Sequence, residues 1–110
     1  MIRSTVSEAA FADVVENLLT LHGWRWIHYE PAIRQSGLWA TPLRGARGFP
    51  DYFAIRDGRI IIAEIKRENG RLSRAQTEWI AELERSSVEV YVWRPSDVET
   101  INETLRRIPK

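Results

Sequence analysis

The chain has 110 residues, room for one compact domain and no second. It contains no cysteine, which excludes a disulfide framework and any thiolate metal site, so a bound metal must be held by oxygen or imidazole. Its 16 basic and 15 acidic side chains leave a net charge of +1, which excludes binding to nucleic acid through bulk charge alone.

Residues 5–22 carry the pattern of an amphipathic helix. Phe11, Val14, Val15, Leu18 and Leu19 recur at helical spacing, and Asp13, Glu16, Asn17 and Thr20 fill the opposite face. Thr5 and Glu8 have capping-box spacing, and Gly23 supplies the stop. At about 100° per residue Glu8 projects between Val15 and Leu19, on the side expected to be buried, whereas Glu16 is expected on the polar face. Residues 24–29 read as a strand with Trp24 and Trp26 on one face.

Residues 31–50 hold Gly37, Pro42, Gly45 and Gly48 and read as a long loop, a length that usually marks function. Arg34, Arg44 and Arg47 lie in it without a single carboxylate. Two β-rich runs, 51–56 and 59–66, flank Asp57-Gly58, a strong two-residue hairpin signal. A turn at Asn69-Gly70 follows, with Arg67, Arg71 and Arg74 clustered around it. Ser73 and Gln76 form a second capping box ahead of a helix striped by Trp79, Ile80 and Leu83. Residues 88–93 make a fourth strand, and Pro95-Ser96 leads into a last helix with Val98, Ile101, Leu105 and Ile108 at heptad-like spacing. A strand, a helix and a strand after the hairpin imply a crossover, hence an α/β fold with a mixed sheet and packed helices.

The hairpin carries the chemistry. A two-residue turn at 57–58 sets Arg56 opposite Arg59 and, continuing inward, Asp51 opposite Glu64. Directly opposed side chains have Cβ atoms about 4.5–5.5 Å apart, and two carboxylates so placed repel unless a cation lies between them. Oxygen ligands at that spacing suit a hard ion such as Mg²⁺ or Mn²⁺. Lys66, two residues beyond Glu64, points to the same face and can orient a water or stabilise charge on a phosphate. Glu-x-Lys alone is an ordinary exposed ion pair. The opposed Asp51, and the apolar run Ile60-Ile61-Ile62-Ala63 leading into Glu64, set this one apart, because charges at the end of a core strand need partners. His22, at a helix end, and His28, on a half-buried strand, read as structural. Trp39 is placed to stack on an unpaired base or to pack at a dimer interface.

Gly48-Phe49-Pro50-Asp51 followed by Glu64-Ile65-Lys66 resembles the PD-(D/E)xK nuclease signature, and within it the VRR-NUC branch, whose members include stand-alone phage and bacterial proteins. That branch adds a glutamate on the first helix and a glutamine on the helix after the Glu-x-Lys strand, positions held here by Glu8 and Gln76. The resemblance runs from about residue 5 to 95. It implies a restriction-endonuclease-like α/β/α core and a catalytic set of Asp51, Glu64, Lys66, Gln76 and Glu8. It also implies Mg²⁺ or Mn²⁺ bound by Asp51, Glu64, Glu8 and the backbone carbonyl of Ile65. Stand-alone members resemble Holliday-junction resolvases, which implies a homodimer acting on branched DNA. Arg44, Arg47, Arg67, Arg71 and Arg74 are the expected phosphate contacts. No run approaches the ~18 apolar residues of a membrane span or resembles a signal peptide, so the cytoplasm of a bacterium or phage-infected cell is the expected location. Two other readings compete: a non-catalytic nucleic-acid-binding module, and an interaction subunit whose last helix docks on a larger nuclease or helicase.

Overall fold

A computed structural model describes residues 6–29 and 44–108. Arg34, Trp39 and Thr5 lie outside the described residues. The order is α1 (Glu8–Leu21), β1 (Arg25–His28), β2 (Tyr52–Arg56), β3 (Arg59–Ile65), α2 (Arg74–Glu84), β4 (Glu89–Trp93), a short 3₁₀ turn (Pro95–Asp97) and α3 (Val98–Arg106).

The four strands form one sheet in the order β1-β2-β3-β4. β1, β2 and β3 pair antiparallel, and β4 joins β3 in parallel after the α2 crossover. The sheet is mixed and flanked by helices, consistent with a restriction-endonuclease-like core. The β2–β3 turn has positive φ at both Asp57 and Gly58, the backbone a two-residue hairpin of this type needs. The register follows, from Arg56 opposite Arg59 to Tyr52 opposite Ala63. The ladder stops there, one step short of Asp51 and Glu64.

Alternation divides the sheet. Ile61, Ala63 and Ile65 join Tyr52, Ala54, Trp24 and Trp93 in a core with Phe11, Val15 and Leu19 of α1 and Ile101 and Leu105 of α3. Ile62 and Glu64 point the other way, to the side where α2 lies, since Gln76 of α2 bonds Glu64. Burial of Phe11, Val15, Leu19, Ile101 and Leu105 is essentially complete and stabilises the fold by about 1.5–3 kcal/mol per side chain.

The apolar stripe of α3 is therefore part of the chain's own core and is no free face for docking on a larger protein. Ile108, the last position of that stripe, lies beyond the helix and is exposed. At the hairpin end of the sheet, Arg56 and Arg59, which would repel as a cross-strand pair, both lie over the Trp24 ring at 4.8 and 5.0 Å. Their guanidinium groups bond carbonyls at the end of α3, and Arg59 pairs with Glu89 at 2.7 Å. The chemistry expected of Asp51 and Glu64 sits at the opposite end of these strands.

α1 begins later than its sequence suggests. Ser7 is its N-cap, accepting from the Ala10 N–H at 3.0 Å. Among the described residues no helix is long and apolar enough to cross a membrane.

Candidate nuclease site

Glu64 is 2% exposed at the end of an apolar strand, and the forces on it come from every side. Gln76 Nε2 donates to its Oε2 at 2.9 Å, and Lys66 Nζ lies 3.9 Å from the same oxygen. Its Oε1 is buried and receives no hydrogen bond among the described residues. Burial and the nearby Asp51 charge push the Glu64 carboxyl up to about 8, against a smaller downward pull from Lys66. Asp51 is raised as well, by burial first, although the Ile65 N–H that donates to its Oδ2 at 3.0 Å lowers it. Burial and the Asp51 charge together favour the protonated form of Glu64. This is the behaviour of a carboxylate pair without a cation between them.

Gln76 does two jobs with one amide. Its Oε1 accepts from the Ser73 backbone N–H at 2.8 Å, closing the capping box, and its Nε2 holds Glu64. The loop before Asp51 is packed onto the same helix. Phe49 meets Trp79 edge-on at 5.1 Å, Pro50 is buried, and Gly48 adopts φ 95° against the first turn of α2. A Cβ at Gly48 would lie 2.6 Å from the Ala75 carbonyl carbon and 2.8 Å from the Gln76 nitrogen, so only glycine fits. The sequence marked Gly48 as part of a motif but gave no sign that its role is contact with α2.

Glu8 is the first residue of α1 and is exposed, unlike the buried position expected for it. The difference follows from where the helix starts, since the first turn extends past the core. Glu8 nevertheless lines a cleft with Ala9, Ala12, His28, Asp51 and Ile65, and its charge adds to the upward push on Glu64. On its other side Glu8 borders a groove with Lys66, Arg67, Gly70 and Arg71. The cleft and the basic groove meet at this residue.

The remaining arginines divide. Arg74 is exposed and ion-paired with Glu78 on its own helix at 3.3 Å, while Arg44 and Arg47 are exposed on the segment leading to Gly48. None of these three lines the groove. Glu16 was expected on the polar face, and here the structure corrects the helical-wheel reading. The side chain is half-buried, accepting from the Tyr52 hydroxyl at 2.6 Å and meeting His28 Nδ1 at 3.1 Å. A wheel drawn for α1 alone cannot register a sheet edge that offers it two donors. His22 is held by Asn102 at 2.7 Å, a structural contact as expected.

The donor set suits a hard divalent cation: two carboxyls that cannot both ionise unaided, one orphaned buried oxygen and a nearby third carboxylate. Among the described residues no three His, Asp or Glu side chains converge at ligand spacing, so any further ligands must be backbone oxygen, water or substrate. A family model described as the VRR-NUC domain matches residues 33–97, more than half of the chain. No curated protein and no solved structure matches it.

Proposed function

Because the chain belongs to the VRR-NUC family of nuclease domains, we propose that it is a divalent-metal-dependent endonuclease that hydrolyses DNA phosphodiester bonds. Branched DNA such as a Holliday junction is the proposed substrate and a homodimer the proposed acting form. One observation carries the reading: a buried glutamate with an unpaired oxygen, raised to about 8 beside a second carboxyl, is an arrangement that a bound cation would relieve.

Asp51, Glu64 and the Ile65 carbonyl would hold Mg²⁺ or Mn²⁺ directly, with Glu8 at the rim of the cleft reaching the ion through a bound water. When bound, the ion lowers the pKa of a water and offsets the charge that builds on the phosphate. Every other part of the reaction falls to the chain. Gln76 fixes the Glu64 carboxylate, and the Ile65 N–H fixes Asp51. Lys66, 3.9 Å from Glu64, orients the attacking water and stabilises the added negative charge. The water oxygen attacks phosphorus in line, the bond to the 3′ oxygen breaks, and that oxygen takes up a proton, leaving a 5′-phosphate and a 3′-hydroxyl. Arg67 and Arg71 are proposed to seat the substrate backbone in the groove, with Arg44, Arg47 and Arg74 as outer contacts.

Four-way junction, flap, single-stranded and duplex DNA incubated with the protein in Mg²⁺, Mn²⁺, Ca²⁺ or EDTA tests this. Cleavage is expected in Mg²⁺ or Mn²⁺, on junctions before duplex, and Asp51→Asn or Lys66→Ala should each lower it by at least ~100-fold. Cleavage that survives both substitutions would sink the assignment. DNA binding without cleavage of any substrate would favour a binding module. Sedimentation of the free protein reads the proposed dimer directly.

A further inference from the structure

The end of β1 carries a carboxylate–imidazole pair that the proposed reaction leaves unused. Glu16 Oε2 accepts from the Tyr52 hydroxyl at 2.6 Å, and His28 Nδ1 faces the same oxygen at 3.1 Å. A carboxylate oxygen already taking one hydrogen bond is an acceptor toward the imidazole as well, which places a ring hydrogen on Nδ1 and, in the neutral ring, leaves the lone pair on Nε2. The ring is fixed in plane by stacking on Tyr52, with centroids 4.2 Å apart and planes 23° apart. Nε2 has no hydrogen-bond partner among the described residues, and the ring lines the cleft beside Asp51, Glu8 and Ile65. It is close enough to Asp51 for a charge on the ring to lower that carboxyl.

A lone pair aimed at a phosphodiester finds only acceptors, so the DNA backbone offers His28 no partner. A hydrated divalent cation offers donors, because Mg²⁺ and Mn²⁺ in such sites keep several bound waters. Among the described residues the imidazole forms no three-membered ligand cluster with the carboxylates, so its route to the ion is through a bound water. We propose that His28, presented by Glu16, is a positioning residue whose Nε2 accepts a hydrogen bond from a water on the cation held at Asp51 and Glu64. The inference rests on the metal-dependent reading above. Partners of this kind typically alter metal affinity by about 10–100-fold.

Mn²⁺ titration of the DNA-free protein, followed by calorimetry and by electron paramagnetic resonance, tests it in wild type, His28→Phe, His28→Gln and Asp51→Asn. Phenylalanine keeps the ring stack on Tyr52 and removes both nitrogens, the Glu16 contact with them, whereas glutamine restores an acceptor oxygen at similar reach. His28→Phe should weaken Mn²⁺ binding about tenfold and, without the Glu16 contact, melt modestly lower in the metal-free form, and His28→Gln should recover most of the loss in affinity. Wild-type affinity in His28→Phe overturns the proposal. So does a loss that His28→Gln shares in full while both variants melt lower, since the ring would then be packing alone. If wild type binds no Mn²⁺, or Asp51→Asn binds it equally well, the metal-site reading fails first and this inference falls with it.

Discussion

Glu64 is where burial and charge conflict most sharply. Its carboxyl is raised from an ordinary 4.5 to about 8 in the folded chain, so between those values the folded state holds a proton that the unfolded state has released. More protons bound in the folded form means that stability falls as pH rises, by up to about 1.4 kcal/mol per pH unit. Asp51 is raised too and acts in the same direction. Metal-free protein in EDTA should therefore melt lower at pH 8 than at pH 5, and Glu64→Gln should flatten that slope. An unchanged slope in Glu64→Gln would mean that another group sets it. Divalent metal must displace the proton on Glu64, so the stabilisation from Mn²⁺ should grow over the same pH range. Asp51→Asn keeps an acceptor for the Ile65 N–H and removes the neighbouring charge, so at pH 8 without metal it should melt higher than wild type.

At the level of elements, the hairpin register from Arg56–Arg59 to Tyr52–Ala63 was readable because a two-residue turn leaves no freedom in it; the ladder ends one step before Asp51 and Glu64, whose nearness shows in the upward push of Asp51 on Glu64. The capping box of α2 was readable for the same reason, since it is local. The contacts that were not readable all cross between elements. Glu16 turns toward β1 and β2, Gly48 presses on α2, and His28 enters the cleft, each decided by a neighbour distant in sequence. Gly48 gives the clearest test of such a contact. Gly48→Ala should cost on the order of 3 kcal/mol, from a left-handed backbone and a clash with the Ala75 backbone. Gly45→Ala is the control, because Gly45 has φ 89° and nothing within 4 Å of its added Cβ, so it bears the backbone term alone. Denaturant unfolding reads both, and equal losses would show that the contact with α2 is not tight. Gly48→Ala should also weaken Mn²⁺ binding, because the same turn of α2 carries Gln76 to Glu64.

Across the whole molecule, charge is nearly balanced and unevenly placed. At +1 the chain has no general attraction for a polyanion, and two of its 16 basic side chains are tied up at the hairpin end, where Arg56 and Arg59 hold α3 and Glu89. The groove beside Glu8 is different, since Arg67 and Arg71 line it next to Lys66. DNA affinity should then depend on a few local contacts, each visible as salt dependence. The observable is the slope of log affinity against log salt concentration for a four-way junction, in Ca²⁺ to hold back cleavage. Arg67→Ala and Arg71→Ala should each reduce its magnitude by about 1 and weaken binding to all sequences alike. Arg106→Ala removes the same formal charge from α3, where Glu103 already pairs with it, and should leave the slope unchanged. Arg74→Ala should fall between, because Glu78 competes with phosphate for that guanidinium. If Arg106→Ala lowers the slope as much as Arg67→Ala does, net charge governs binding and the groove is not the path of the DNA.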